Sequence, residues 1–105
     1  MINEQRVQDA IDYLVKTDFE CADAKVNAER FKYLGKRRRA IVVLSLKDGT
    51  AQVKEATAET ASEVIEADDE YFKCLQTYEQ MSAKRKTEQL VIEVWRTEQA
   101  NLRKA

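Results

Sequence analysis

The sequence predicts an all-α fold, an elongated antiparallel helical hairpin or open helical bundle with coiled-coil-like packing. The chain has 105 residues, with no proline and only two glycines. Because proline and glycine mark turns and loops, we expect few loops. Apolar residues make up 44% of the chain and charged residues 35%, a balance typical of long helices. At this length we expect a single helical domain over residues 1–105.

Four helices are predicted, over residues 3–16, 18–46, 51–66 and 68–103. Asn3 is a suitable N-cap for the first helix. Thr17 followed by Glu20 matches a capping box, which predicts a break near residues 16–18. The acidic run from Asp68 to Glu70 similarly predicts the start of the last helix.

The connection around residues 41–53 has two interpretations. Asp48-Gly49 between apolar runs is a signal for a β-hairpin. The flanking segments, however, are rich in helix-forming residues, and an isolated hairpin is marginally stable. Gly49 fits the end of one helix and Thr50 the N-cap of the next. Helix–loop–helix is the favoured interpretation, and the β-hairpin is the alternative.

Charge is divided into opposed blocks although the net charge is only −1. Residues 25–47 contain eight cations and one anion. Such a stretch can bind a phosphate backbone, with Phe31 and Tyr33 available to stack on bases. The basic block, our candidate nucleic-acid-binding set, consists of Arg30, Lys32, Lys36, Arg37, Arg38, Arg39 and Lys47.

Residues 48–72 contain eight anions and one cation. The acidic face consists of Glu55, Glu59, Glu63, Asp68, Asp69 and Glu70. Its first three members are spaced by four residues, a like-charge row that is unfavourable alone. Pairing of this row with the basic block is the favoured interpretation, since it follows directly in sequence. Alternatively, the acidic face mimics phosphates and occupies a DNA channel.

Residues for catalysis are not evident. The chain has no histidine, no glycine-rich phosphate loop and no nucleophile motif. We therefore predict no enzyme activity, no catalytic or metal-binding residue and no cofactor. Without a leader or an apolar run of membrane-spanning length, we expect a cytoplasmic protein that does not enter membranes. In that compartment Cys21 and Cys74 would be reduced thiols, and a Cys21–Cys74 disulfide is the alternative.

The C-terminal segment combines the single tryptophan with polar side chains at helical spacing. Core packing is the first interpretation for Trp95. The alternative is a hot spot for a partner protein. The C-terminal face, our candidate partner-binding set, consists of Trp95, Arg96, Gln99 and Arg103.

Two C-terminal segments, "DDEYFKCLQTYEQ" and "IEVWRTEQANLR", resemble small helical proteins encoded by phages and prophages in recombination gene clusters. The resemblance covers residues 67–103 and assigns no activity to any residue. It implies an all-helical fold and a role near phage DNA metabolism.

The leading hypothesis is a non-enzymatic accessory protein in DNA recombination or replication. It would bind a recombination protein, single-stranded DNA, or both. The first alternative is a phage inhibitor of a host nuclease or defence complex. The second is a structural coiled-coil subunit. Because the predicted helices leave apolar surface uncovered, we expect a homo-oligomer, a dimer or higher, with a phage or host DNA-processing protein as partner.

Overall fold

The computed structural model describes residues 1–104 and consists of three α-helices. These are α1 (Glu4–Ser45), α2 (Ala51–Glu59) and α3 (Ser62–Lys104). Within residues 1–104 there is no β-strand, so the all-α prediction is confirmed. The helices form two compact units, one from residues 1–23 and 78–104, the other from Ala24–Thr77. We call them the terminal unit and the central unit.

The connection between α1 and α2 is a helix–loop–helix, and the β-hairpin alternative is wrong. The backbone of Gly49 has φ +110°, a conformation that residues with a Cβ rarely adopt. Thr50 Oγ1 accepts a hydrogen bond from the backbone N–H of Val53 at 3.2 Å, as an N-cap should.

The predicted break near residues 16–18 is wrong, because α1 continues through them. The Thr17 hydroxyl donates to the Tyr13 carbonyl oxygen at 2.7 Å, and the residue is buried. It therefore bonds back along the helix instead of capping a new one. The predicted cap at Asn3 is confirmed, since its Oδ1 accepts a hydrogen bond from the Arg6 N–H at 2.7 Å.

The second predicted helix break is also misplaced. Helix α2 ends at Glu59 and α3 begins at Ser62, so Asp68 to Glu70 lie inside α3 instead of at its start. At the actual break the Thr60 hydroxyl donates to the Thr57 carbonyl oxygen at 3.0 Å. Local bonds of this kind compete with helix continuation.

The terminal unit is an antiparallel pair of helical segments. The Ile2 N–H donates to Glu98 Oε2 at 3.1 Å, and Arg85 contacts Thr17, so early α1 lies beside late α3. Burial repeats in steps of three and four residues, which is coiled-coil-like packing. The positions with restricted exposure include Val7, Ala10, Leu14, Thr17 and Cys21 on α1, and Met81, Arg85, Glu88, Ile92, Trp95 and Gln99 on α3.

Polar side chains interrupt this row of packed positions, which we call the seam; the corresponding row of the central unit has the same name. Arg85 Nη1 donates to the Leu14 carbonyl oxygen at 2.8 Å and to Thr17 Oγ1 at 2.6 Å. Glu88 is buried and accepts a hydrogen bond from Arg6 at 2.6 Å. That bond, the largest influence, raises the pKa of Arg6. The seam therefore combines apolar packing with buried, hydrogen-bonded charge.

The central unit packs the second half of α1 against α2 and the first half of α3. Its core is built from small residues, which let helices approach closely. At Gly35 an added Cβ would lie 3.0 Å from Asp68 Oδ1 and 3.3 Å from Arg39 Nη1. The positions with restricted exposure include Ala24, Ala28, Phe31 and Gly35 on α1, Ala58 on α2, and Val64, Ala67, Tyr71 and Cys74 on α3.

Candidate nucleic-acid interface

The basic block is divided by the fold into paired and unpaired cations. Arg39 is paired twice. Its Nε donates to Glu59 Oε1 at 2.8 Å, and its Nη2 donates to Asp68 Oδ2. The bond to Glu59 raises the pKa of Arg39; burial acts in the opposite direction, and Asp68 adds to the increase. The charge of Arg39 is thus balanced inside the central unit.

Arg38 is held by the first turn of α3. Its Nη1 donates to the Glu63 carbonyl oxygen at 2.7 Å and lies 3.9 Å from Glu66 Oε2. Two cations of the basic block, Arg38 and Arg39, therefore contact the following acidic segment, so the pairing favoured from the sequence occurs only in part. The carboxylates are not those expected: of the row Glu55, Glu59 and Glu63, Glu59 alone forms an ion pair within residues 1–104.

Five cations of the basic block remain exposed. No carboxylate oxygen within residues 1–104 lies within 4.0 Å of their charged nitrogens. Lys36 Nζ lies 5.5 Å from the centroid of the exposed Tyr33 ring, a cation–π distance. The five are Arg30, Lys32, Lys36, Arg37 and Lys47.

Two of these cations border an exposed aromatic ring. Lys32 and Lys36 line a groove of about 240 Å³ that we call the Phe72 groove. The Phe72 residue is 62% exposed, and its ring centroid lies 5.1 Å from that of Tyr71. The groove is lined by Lys32, Lys36, Arg39, Asp68, Tyr71 and Phe72.

Phe72 was not among the residues chosen from the sequence. Phe31, which was expected to stack on bases, is half-buried in the seam instead. The exposure of Phe72 could have been predicted from the spacing of its neighbours. Val64, Ala67, Tyr71 and Cys74 occupy the seam at steps of three and four residues, which places Phe72 just outside it. An aromatic residue at such a position is exposed by the helix geometry.

The acidic face is also divided. Glu59 and Asp68 are paired with Arg39, whereas Glu55, Glu63 and Asp69 are exposed. Glu70 Oε1 lies 3.7 Å from Lys73 Nζ within α3. A second groove, of about 500 Å³, adjoins the Phe72 ring and is lined by Glu66, Asp69, Glu70, Phe72, Lys73 and Gln76. Phe72 therefore stands between a basic and an acidic surface.

The C-terminal face does not form one exposed surface. Trp95 and Gln99 are half-buried at seam positions, whereas Arg96 and Arg103 are exposed. Trp95 lines a groove of about 270 Å³ together with residues of α1. Core packing, the first interpretation for Trp95, therefore describes its position better than a fully exposed hot spot.

Three further features concern metal ligands, thiols and membrane-spanning helices in residues 1–104. Residues 1–104 contain no group of three or more cysteine and carboxylate side chains placed to hold a metal ion. Cys21 and Cys74 are free thiols. None of the three helices is both long and apolar enough to cross a bilayer.

Comparison with known proteins gives no relative for this chain: no family model, no curated protein and no solved structure matches it.

Proposed function

We propose that this chain is a non-enzymatic accessory protein of phage-type DNA recombination or replication, which binds single-stranded DNA through the Phe72 groove. One observation carries this function. Lys32 and Lys36, which have no carboxylate partner among the described residues, line the same groove as the exposed ring of Phe72. Cations beside an exposed aromatic ring are the combination with which proteins hold single strands.

Single strands fit this groove better than a duplex. A base can stack on the Phe72 ring only when its own face is uncovered, and duplex bases are already stacked on each other. The lysines would take the neighbouring phosphates and release their counterions, which makes binding sensitive to salt. Tyr33, exposed next to Lys36, offers a second stacking surface.

Arg39 has a positioning role in this mechanism. Its two carboxylate bonds hold α1 against α2 and α3, which keeps Lys32 and Lys36 beside Phe72. The charge of Arg39 is already balanced, so it adds little attraction for phosphate. In the proposed function, a recombination or replication protein would act on the single strand that this surface holds.

Fluorescence anisotropy with a labelled oligo-dT tests the DNA-binding part. The double variant Lys32→Ala, Lys36→Ala should bind at least about tenfold more weakly and show a shallower dependence of log K on log salt, by about 0.7 per lost phosphate contact. Lys86→Ala removes an exposed cation of α3 in the terminal unit and should leave binding unchanged. An absence of oligo-dT binding at low salt, or an equal loss of affinity in Lys86→Ala, would refute DNA binding at the Phe72 groove.

The second groove supports a second candidate function, inhibition of a nuclease by DNA mimicry. Glu66, Asp69 and Glu70 surround one side of Phe72, and closely spaced carboxylates can occupy a basic DNA channel. This function requires that the chain does not bind DNA itself. The double variant Glu66→Lys, Asp69→Lys should then release a nuclease that the unmodified chain captures, and Lys32→Ala should not.

A further inference from the structure

The terminal unit carries a row of exposed apolar side chains on α1. Ile11, Val15 and Phe19 are spaced by four residues and so lie along one side of the helix. They are 40%, 73% and 81% exposed, respectively. Single exposed apolar residues are ordinary, but a contiguous row marks an interaction surface.

This row continues into the groove beside Trp95. Ile11 belongs to both, and the groove is completed by Glu4, Val7 and Gln8. Trp95 Nε1 is buried yet has no hydrogen-bond acceptor among the described residues. A buried indole N–H normally donates to an acceptor. Because this atom is already closed to solvent within the single chain, the groove offers a bound molecule the side chains of Ile11 and Trp95 and not the indole N–H.

The charges of the terminal unit are opposed between its two helices. Residues 1–23 contain six carboxylates and two side-chain cations, whereas residues 78–104 contain six cations and four carboxylates. A strongly basic or strongly acidic partner would complement one helix and repel the other. A second copy in antiparallel placement complements both, because α1 of each copy then meets α3 of the other.

We propose that the Ile11, Val15 and Phe19 row, together with the Trp95 groove, is the interface with a second copy of this chain. Two helical pairs then close into a four-helix arrangement, which covers the apolar rows. The acidic α1 of one copy lies along the basic α3 of its partner, and the partner covers the groove lined by Ile11 and Trp95. This interface is independent of the Phe72 groove, which belongs to the central unit.

Analytical ultracentrifugation over a concentration series tests the interface. The unmodified chain should dimerise, and the double variant Val15→Lys, Phe19→Lys should raise the dissociation constant at least about tenfold, since it buries two cations at the contact. Both side chains are mostly exposed, so the helical circular dichroism of the variant should be unchanged. Leu44→Lys is the matched control, because Leu44 is 85% exposed in the central unit.

Trp95 provides a second measurement, since it is the only tryptophan. Its emission should shift on dilution of the unmodified chain over the same range in which the dimer dissociates. An unmodified chain that remains monomeric, or a dimer weakened by Leu44→Lys and not by the double variant, would overturn the assignment. A dimer that dissociates without any change in Trp95 emission would exclude the groove from the interface.

Discussion

Arg39 on α1 forms ion pairs with Glu59 on α2 and with Asp68 on α3. One guanidinium thus joins the three helices of the central unit. Its planar fork presents several donors in fixed directions, which a lysine ammonium cannot reproduce. The raised pKa of Arg39 means that this contribution is complete below the ordinary arginine pKa and is lost only as the pH rises above it.

Arg39→Ala should therefore destabilise the chain. The pairs are partly exposed, so we expect a loss of about 1 kcal/mol in the free energy of unfolding. Urea denaturation followed by circular dichroism measures it as a lower midpoint with an unchanged slope. Arg37→Ala is the control, because Arg37 is exposed and has no carboxylate partner within residues 1–104. Equal midpoints for the two variants would contradict this role.

Gly35 should tolerate only small substitutions. Alanine gains about 1 kcal/mol of helix propensity, but its Cβ would press on Asp68 Oδ1 at 3.0 Å. The carboxylate must then shift while holding Arg39, so we expect Gly35→Ala to be close to neutral. Gly35→Leu places a large side chain at a buried contact and should cost about 2 kcal/mol by overpacking. Thermal unfolding distinguishes the two; a Gly35→Leu variant as stable as the original would show that the helices separate easily there.

Breaking the Arg6–Glu88 pair from one side should destabilise the chain more than removing both partners. Glu88 is buried and Arg6 donates to it at 2.6 Å, so Arg6→Met leaves a buried carboxylate without its partner. We expect a lower urea midpoint for Arg6→Met, because a charge is left buried without its ion-pair partner. The double variant Arg6→Met, Glu88→Met should recover much of the lost stability. A double variant less stable than Arg6→Met would contradict this explanation.

The all-α fold class was predictable because it depends on composition and on the spacing of apolar residues along the whole chain. Which positions of each helix pack in the seam was not predictable. Seam positions carry polar or small side chains at Thr17, Gly35, Arg85 and Glu88. A prediction based only on apolar residues therefore assigns to the seam residues that lie outside it. Leu90 is an example, since it is exposed. These polar residues fit because each forms a tertiary contact that no local rule predicts.

The two misplaced helix breaks have the same physical cause. Thr17 and Asp68 are good capping residues, yet their oxygens bond to Arg85 and Arg39 within the folded units. Tertiary partners thus outweighed local capping. Tertiary contacts also decide which cations of the basic block are paired. Arg38 and Arg39 contact carboxylates in the folded central unit, whereas Lys32 and Lys36 do not, and the sequence pattern alone does not distinguish them.

Phe72→Ala tests the stacking half of the proposed DNA site separately from the charged half. The side chain is largely exposed, so its removal should leave the urea midpoint nearly unchanged. Loss of a stacked base should weaken binding to oligo-dT by about 1–3 kcal/mol, while the dependence of log K on log salt stays the same because no cation is removed. Phe72→Tyr should retain most of the affinity. Leu90→Ala, which removes a similarly exposed apolar side chain of α3 in the terminal unit, is the control. If Phe72→Ala lowers the salt dependence as strongly as Lys32→Ala, or leaves affinity intact, then Phe72 does not stack on the bound base.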